Sequence, residues 1–170
     1  MKTRHVFEGK VAIVTGGGSG IGRALCEALA HRRTAMIVVA DIDKARALQV
    51  AGGISATGAH AHARHVDVSQ RASVQALVDG VVADCGHLDY MFNNAGVTIC
   101  GEVRDMGLFH WQRIVDIDLW GVIYGTMAAY RVMLEQGQGH IVNIASLDGL
   151  APMPMSTPYT AAKHGVVGLS

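Results

Sequence analysis

The stretch that most limits the fold is Lys10-Val11-Ala12-Ile13-Val14-Thr15, which runs straight into Gly16-Gly17-Gly18-Ser19-Gly20-Ile21-Gly22. A short β-branched run, then glycines, then Ile21, Ala24, Leu25, Ala28 and Leu29 at helical spacing, reads as strand, tight turn and helix. Glycine permits the turn and a close backbone approach to a ligand, while the free N–H groups and positive dipole end of the new helix favour a phosphate. Gly16, Ser19, Gly20, Ile21 and Gly22 are therefore candidate cofactor contacts. A second apolar strand, Met36 to Ala40, ends in Asp41, 19 residues past Gly22. In a βαβ dinucleotide unit an acid there accepts hydrogen bonds from the adenosine ribose and repels a 2′-phosphate. Asp41 thus argues for NAD over NADP, a helix N-cap or a surface acid being the plainer alternative.

The alternation continues. Asp43 to Ala51 is expected to be helical and Gly52 to Gly58 a loop. His60 to Val68 alternates like a half-exposed edge strand, with His60 and His62 on one solvated face rather than in a metal site. Val74, Leu77, Val78, Val81 and Val82 make an amphipathic helix closed near Gly86. Leu88 to Phe92 is a fourth strand, leading into Asn93-Asn94-Ala95-Gly96. A long helical pattern from Met106 to Leu134 carries Asp118 on its apolar, inward side, and an inward acid needs a partner. His140 to Ala145 is nearly all apolar, as a buried parallel strand should be, and a last helix begins near Pro158. Alternating β and α units predict an α/β fold: a Rossmann-like doubly wound parallel sheet, strand order 3-2-1-4-5, helices on both faces, in a single domain over 1–170.

Formal charge is zero and the basic residues are scattered, which leaves no electrostatic footprint for nucleic acid or an anionic membrane. After the basic start, Met1 to His5, the apolar run Val11 to Val14 is too short for a signal peptide or a membrane span. Cys26, Cys85 and Cys100 are odd in number, far apart and without a C-x-x-C, so a reducing, cytoplasmic setting is expected with the thiols as buried small hydrophobes.

Chemistry enters at Pro158-Tyr159-Thr160-Ala161-Ala162-Lys163, where a phenol and an ammonium lie one helical turn apart on one face. A fixed cation favours the phenolate, so Lys163 is expected to lower the pKa of Tyr159 and let it exchange protons with an alcohol or carbonyl. Ser146 follows the fifth strand, thirteen residues before Tyr159. Ligands of such sheets bind outside the carboxyl ends of the strands, so Ser146, Asn94 and the glycine turn should open onto one cleft.

These residues, T-G-x-x-x-G-x-G on Thr15, Gly16, Gly20 and Gly22, then Asp41, N-N-A-G, Ser146 and Y-x-x-x-K, stand in the order found in short-chain dehydrogenases/reductases, and the chain resembles their N-terminal two-thirds. The resemblance implies NAD(P)-dependent oxidoreductase activity on a small-molecule alcohol or carbonyl. It implies Tyr159 as general acid/base, Lys163 tuning it and binding the nicotinamide ribose, and Ser146 as an oxyanion-type donor. Asp67 and Val68 match the acid–hydrophobe pair beside the adenine ring, and Asn94, Ala95 and Gly96 would line the cofactor cleft. The position of Asp118 is usually Asn in the family, where it holds a water that links the active-site Lys to solvent. Family members commonly assemble as dimers or tetramers through the helices containing Trp111 to Leu134 and Tyr159 onward. They also continue with two further strands, a substrate-covering loop and a closing helix, whereas this chain stops at Ser170 inside a helix. The alternative reading is a truncated, catalytically inactive dinucleotide-binding fragment or a partner-docking protein.

Overall fold

A computed structural model describes residues 6–170; the basic start, Met1 to His5, lies outside the described residues. Five parallel strands form one sheet: β1 (Val11–Thr15), β2 (Met36–Asp41), β3 (Ala61–His65), β4 (Tyr90–Asn93) and β5 (His140–Asn143). They lie in the order β3-β2-β1-β4-β5, as the alternation predicts, so the central strand is the one that enters the glycine turn. Every residue of β1 is buried, because neighbouring strands flank it and helices cover both faces.

The period-two alternation of β1 sorts its side chains into two cores. Val11 and Ile13 pack with Met91 against α3 (Arg71–Cys85) and α5 (Gly121–Gln136) through Val74, Val78, Val81, Ala129 and Met133. Ala12 and Val14 pack with Phe92 against α1 (Gly20–His31) and α2 (Lys44–Ser55) through Cys26, Leu29, Val50 and Ile54. The carboxyl ends of all five strands then point the same way, and the site opens there.

Some elements differ from the sequence expectation. Helix α2 runs on to Ser55, through Gly52 and Gly53. Val50, Ala51 and Ile54 bury one face of it, and this packing overrides the low helix propensity of glycine. Strand β5 is shorter than the apolar run, and it is not the buried strand expected. His140 is exposed and Ile141 to Asn143 are half-buried, because β4 is the only neighbour of β5 among the described residues. The pattern from Met106 to Leu134 resolves into α4 (Leu108–Ile114), a π-helical turn over Val115–Trp120, and α5. Cys26 is buried and Cys85 half-buried, but Cys100 is exposed in the loop after β4, so the expectation of three buried thiols fails there. Burial pushes the Cys26 thiol up to about 12, which keeps it protonated and unreactive.

Candidate active site

The glycine turn has little freedom. Gly16 and Gly20 adopt φ of +65° and +50°, a region that side-chain-bearing residues avoid. The Gly17 N–H donates to the Ala40 carbonyl at 3.0 Å and the Gly18 N–H to Asp41 Oδ2 at 2.9 Å, so the turn is tied to the end of β2. Asp41 Oδ1 accepts from the Asp43 N–H at 2.9 Å, and the carboxylate is thereby aimed rather than free to swing. The cap of α2 is Asp43, whose side chain accepts from the Arg46 N–H, so the N-cap alternative for Asp41 is filled by another residue.

Thr15 joins the first and second halves of the site. Its hydroxyl donates to the Phe92 carbonyl and accepts from the Asn94 and Ala95 N–H groups at 3.0 and 3.1 Å. The Asn94 amide donates to the Thr15 carbonyl at 2.8 Å. One residue earlier, the Asn93 amide bridges to Asn143 Oδ1 at 2.8 Å and so couples β4 to β5 side by side. Among the described residues Asn93 Oδ1 is buried without a hydrogen-bond partner, and it faces Gly125, where a Cβ would crowd it.

Behind the loop that follows lies Asp118, fully buried, on the π-helical turn. Its Oδ1 and Oδ2 accept from the Val97 N–H at 3.2 and 3.1 Å. From α6 (Thr157–Leu169) Lys163, only 3% exposed, brings Nζ to 3.6 Å from Asp118 Oδ1 and donates to the Ile144 carbonyl at 2.8 Å. The same Nζ lies 5.5 Å from the centroid of the Tyr159 ring, one helical turn back as the i, i+4 spacing predicts. Burial pushes Asp118 up to about 6 and pushes Lys163 down, while their mutual attraction opposes both shifts.

The Tyr159 phenol departs from expectation. From sequence, Lys163 should lower its pKa, yet the phenol stands above its ordinary value. Burial is the first cause; the neighbouring Ser146 hydroxyl pulls it back, and the Asp118 and Asp148 carboxylates raise it further. The Lys163 amine is engaged by Asp118 and the Ile144 carbonyl.

A cleft of about 800 Å³ runs from the glycine turn to Tyr159. Most of the sequence candidates line it. Asp67 and Val68 follow edge strand β3, Asp41 ends β2, Gly16, Ser19, Gly20 and Ile21 follow the central β1, Asn94, Ala95 and Gly96 follow β4, and Ser146, Tyr159 and Lys163 come after β5. Two candidates do not. Gly22 is packed under Gly16, and Asp118 reaches the cleft only through Lys163 and the Val97 backbone. Asp67 Oδ1 is occupied by the Ser69 N–H and hydroxyl at 3.0 and 2.7 Å, so the acid shapes its own turn.

Sequence reasoning passed over several contributors. Asp148, in the turn after β5, takes the Ser156 hydroxyl on Oδ2 at 2.8 Å and lies 3.4 Å from the Ser146 hydroxyl, while its N–H donates to Ser146 Oγ. The capping signature of a Ser two residues before an Asp was the available signal. Thr98, Arg113 and Ile117 also line the cleft, and nothing in their sequence pattern singles them out.

A family model described as short chain dehydrogenase matches residues 10–170. The chain belongs to the short-chain dehydrogenase family. Among its relatives is the oxidoreductase SadH of Mycobacterium tuberculosis, 42% identical over 164 residues, which cover 96% of this chain and 59% of SadH. Another short-chain dehydrogenase relative is the 3-alpha-(or 20-beta)-hydroxysteroid dehydrogenase of Mycobacterium bovis, 38% identical over 95% of this chain and 61% of that protein. The crystal structure of a family member from Burkholderia phymatum in complex with NAD superposes with a TM-score of 0.93 at 38% identity, over 96% of this chain and 58% of that one. The chain therefore spans about 60% of the length of the curated relatives it matches.

Proposed function

We propose that this chain carries the nucleotide-binding and proton-transfer residues of an NAD(H)-dependent oxidoreductase acting on a secondary alcohol or the corresponding ketone. The observation that carries the reading is one continuous cleft lined by the glycine turn and Asp41 and by Ser146, Tyr159 and Lys163. A dinucleotide needs a narrow turn, a ribose acceptor and a reacting end at a distance, and these residues fit it. Open space at Gly20, where a Cβ would meet nothing within 4 Å, gives a phosphate room above the turn. Ser19, Gly20 and Ile21 would hold the phosphates, Asp41 the adenosine ribose, Asp67 and Val68 the adenine, and Lys163 the nicotinamide ribose. When bound, the cofactor supplies the hydride chemistry.

The chain's own residues supply the proton. Tyr159, in the first turn of α6, gives its phenolic proton to a carbonyl oxygen or takes one from an alcohol. Ser146 donates to the substrate oxygen where charge develops, with Asp148 and Ser156 holding that turn in shape. Exposed Leu147, Leu150, Met153 and Met155, in the segment between Ser146 and Tyr159, support an apolar substrate. The hydroxysteroid relative supports the same class. The exposed stripe Met127, Tyr130 and Leu134 on α5 supports homo-oligomeric assembly, and the unpaired thiols support a reducing, cytoplasmic setting. No helix among the described residues is long and apolar enough to cross a membrane.

The test is a titration of the 170-residue chain with NADH followed by nicotinamide fluorescence, with NADPH as the comparison. Saturable binding is expected, tighter for NADH by about tenfold or more, a difference of ~1.4 kcal/mol set by the Asp41 carboxylate. Equal affinity for NADPH would remove the role assigned to Asp41. No binding of either cofactor would favour the inactive or partner-docking reading of this polypeptide.

A further inference from the structure

The buried acid on the π-helical turn stands in direct contact with the amine that faces Tyr159. Asp118 is held on three sides. The Val97 N–H meets both of its oxygens, and Lys163 Nζ approaches Oδ1 at 3.6 Å. Gly96 crowds it so closely that a Cβ there would stand 2.6 Å from Oδ1. A carboxylate so enclosed cannot turn away from Lys163, and no water layer screens it, since the side chain has no exposed surface.

We propose that Asp118 is a charge-setting positioning residue: its carboxylate, paired with Lys163 inside the fold, offsets the cation's pull on Tyr159 and keeps the phenol in the O–H form that donates a proton. The proposal rests on the reading of Tyr159 as the proton-transfer residue. An amide at this position would occupy the same space, and its oxygen would accept from Val97 and Lys163, but it would leave the ammonium charge uncompensated. Asp118 thereby favours the phenol that protonates a carbonyl oxygen, whereas an amide would make the same phenol more acidic and shift the balance toward accepting a proton from an alcohol. The direction agrees with the raised phenol, for which the Asp118 carboxylate is a contributing cause after burial.

The other charges that face this pair are few. From α6 there is Lys163 itself, along with the positive end of the helix, which favours phenolate. The turn after β5 brings Asp148, half-exposed and hence better screened, which raises the phenol as Asp118 does. Arg113 of α4 reaches the cleft from an exposed position. The Asn94–Thr98 loop and the glycine turn contribute no charged side chain.

The experiment is a pH titration of the 170-residue chain labelled with ¹³Cζ-tyrosine. The Tyr159 resonance is assigned by its loss in Tyr159→Phe, and Tyr90, Tyr124 and Tyr130 serve as internal references. Asp118→Asn is expected to lower the Tyr159 midpoint by about one pH unit, a tenfold change in the ionisation constant, and to leave the other three tyrosines unmoved. Asp148→Asn should move it in the same direction by less. An unmoved or raised midpoint in a folded Asp118→Asn protein overturns the proposal. If the Asn variant does not fold, Asp118→Ser is read by the same criterion. In the unsubstituted chain, a Tyr159 midpoint below the ordinary phenol value of ~10 overturns it without any variant. These outcomes are separable from the catalytic reading, which stands or falls on the turnover of Tyr159→Phe.

Discussion

Tyr159→Phe is expected to lower turnover by about 10³-fold while leaving NADH affinity within about twofold. General acid/base catalysis by a positioned side chain is worth roughly 10² to 10⁴ in rate, and the substitution removes one oxygen from the reacting end of the cleft. The ring itself is retained, as is the helical turn that carries Lys163. The glycine turn and Asp41, which follow β1 and end β2, are untouched. The measurement is steady-state oxidation of NADH with an apolar ketone, in this chain or in a longer polypeptide that contains it, together with the fluorescence titration. A fall in kcat with an unchanged cofactor Kd is the expected split. Near-normal turnover would remove Tyr159 from its assigned role, whereas loss of both properties would indicate structural damage instead.

Gly22→Ala should cost about 3 kcal/mol of stability and abolish cofactor binding, at the severe end of overpacking substitutions. An ideal Cβ at Gly22 would lie 2.2 Å from the Gly16 carbonyl oxygen, 2.8 Å from its carbonyl carbon and 2.6 Å from Asn94 Nδ2. Two of these are backbone atoms of the turn itself, so no rotamer change relieves the contact. Either the first turn of α1 withdraws from β1 or the Gly16 peptide rotates, and both outcomes reshape the turn to which the cofactor phosphates are assigned above. Gly53→Ala is the control, since a Cβ there meets nothing within 4 Å among the described residues; in the last turn of α2 it should raise stability by roughly half a kcal/mol. Urea denaturation of the two variants beside the unsubstituted chain gives both numbers. A Gly22→Ala protein as stable as its parent would mean that the turn is more pliant than its contacts indicate.

What could be read in advance was what is encoded over short distances. The glycine turn, the acid closing β2, the left-handed cap at Gly86 and the Tyr–Lys spacing on α6 each depend on a handful of consecutive residues, and each stands as expected. The inward orientation of Asp118 was also legible, because it shares a face with Ile114, another fully buried side chain. Its partner was not: Lys163 lies 45 residues further on and reaches Asp118 only after β5 and α6 fold back over the loop that carries Val97. The charge balance on Tyr159 was misjudged for the same reason, since periodicity shows that a cation is near but not what else holds it. Strand β5 was misjudged because an apolar run reveals suitability for burial, whereas actual burial depends on the neighbours in the sheet. In α2, the packing of Val50 and Ile54 outweighed two glycines that locally favour a loop.

The π-helical turn has a consequence for insertions and deletions. A helix advances about 100° per residue, so the extra residue accommodated between Val115 and Trp120 sets the angular phase between α4 and everything that follows in α5. In that phase Asp118 turns toward Gly96 while Gly125, further along, turns toward Asn93, and both of those contacts leave no room for a methyl group. Removing one residue from this turn would preserve helicity and nearly all of the composition, yet it would misalign the two contacts together. The length of this segment therefore carries information that no single side chain in it does.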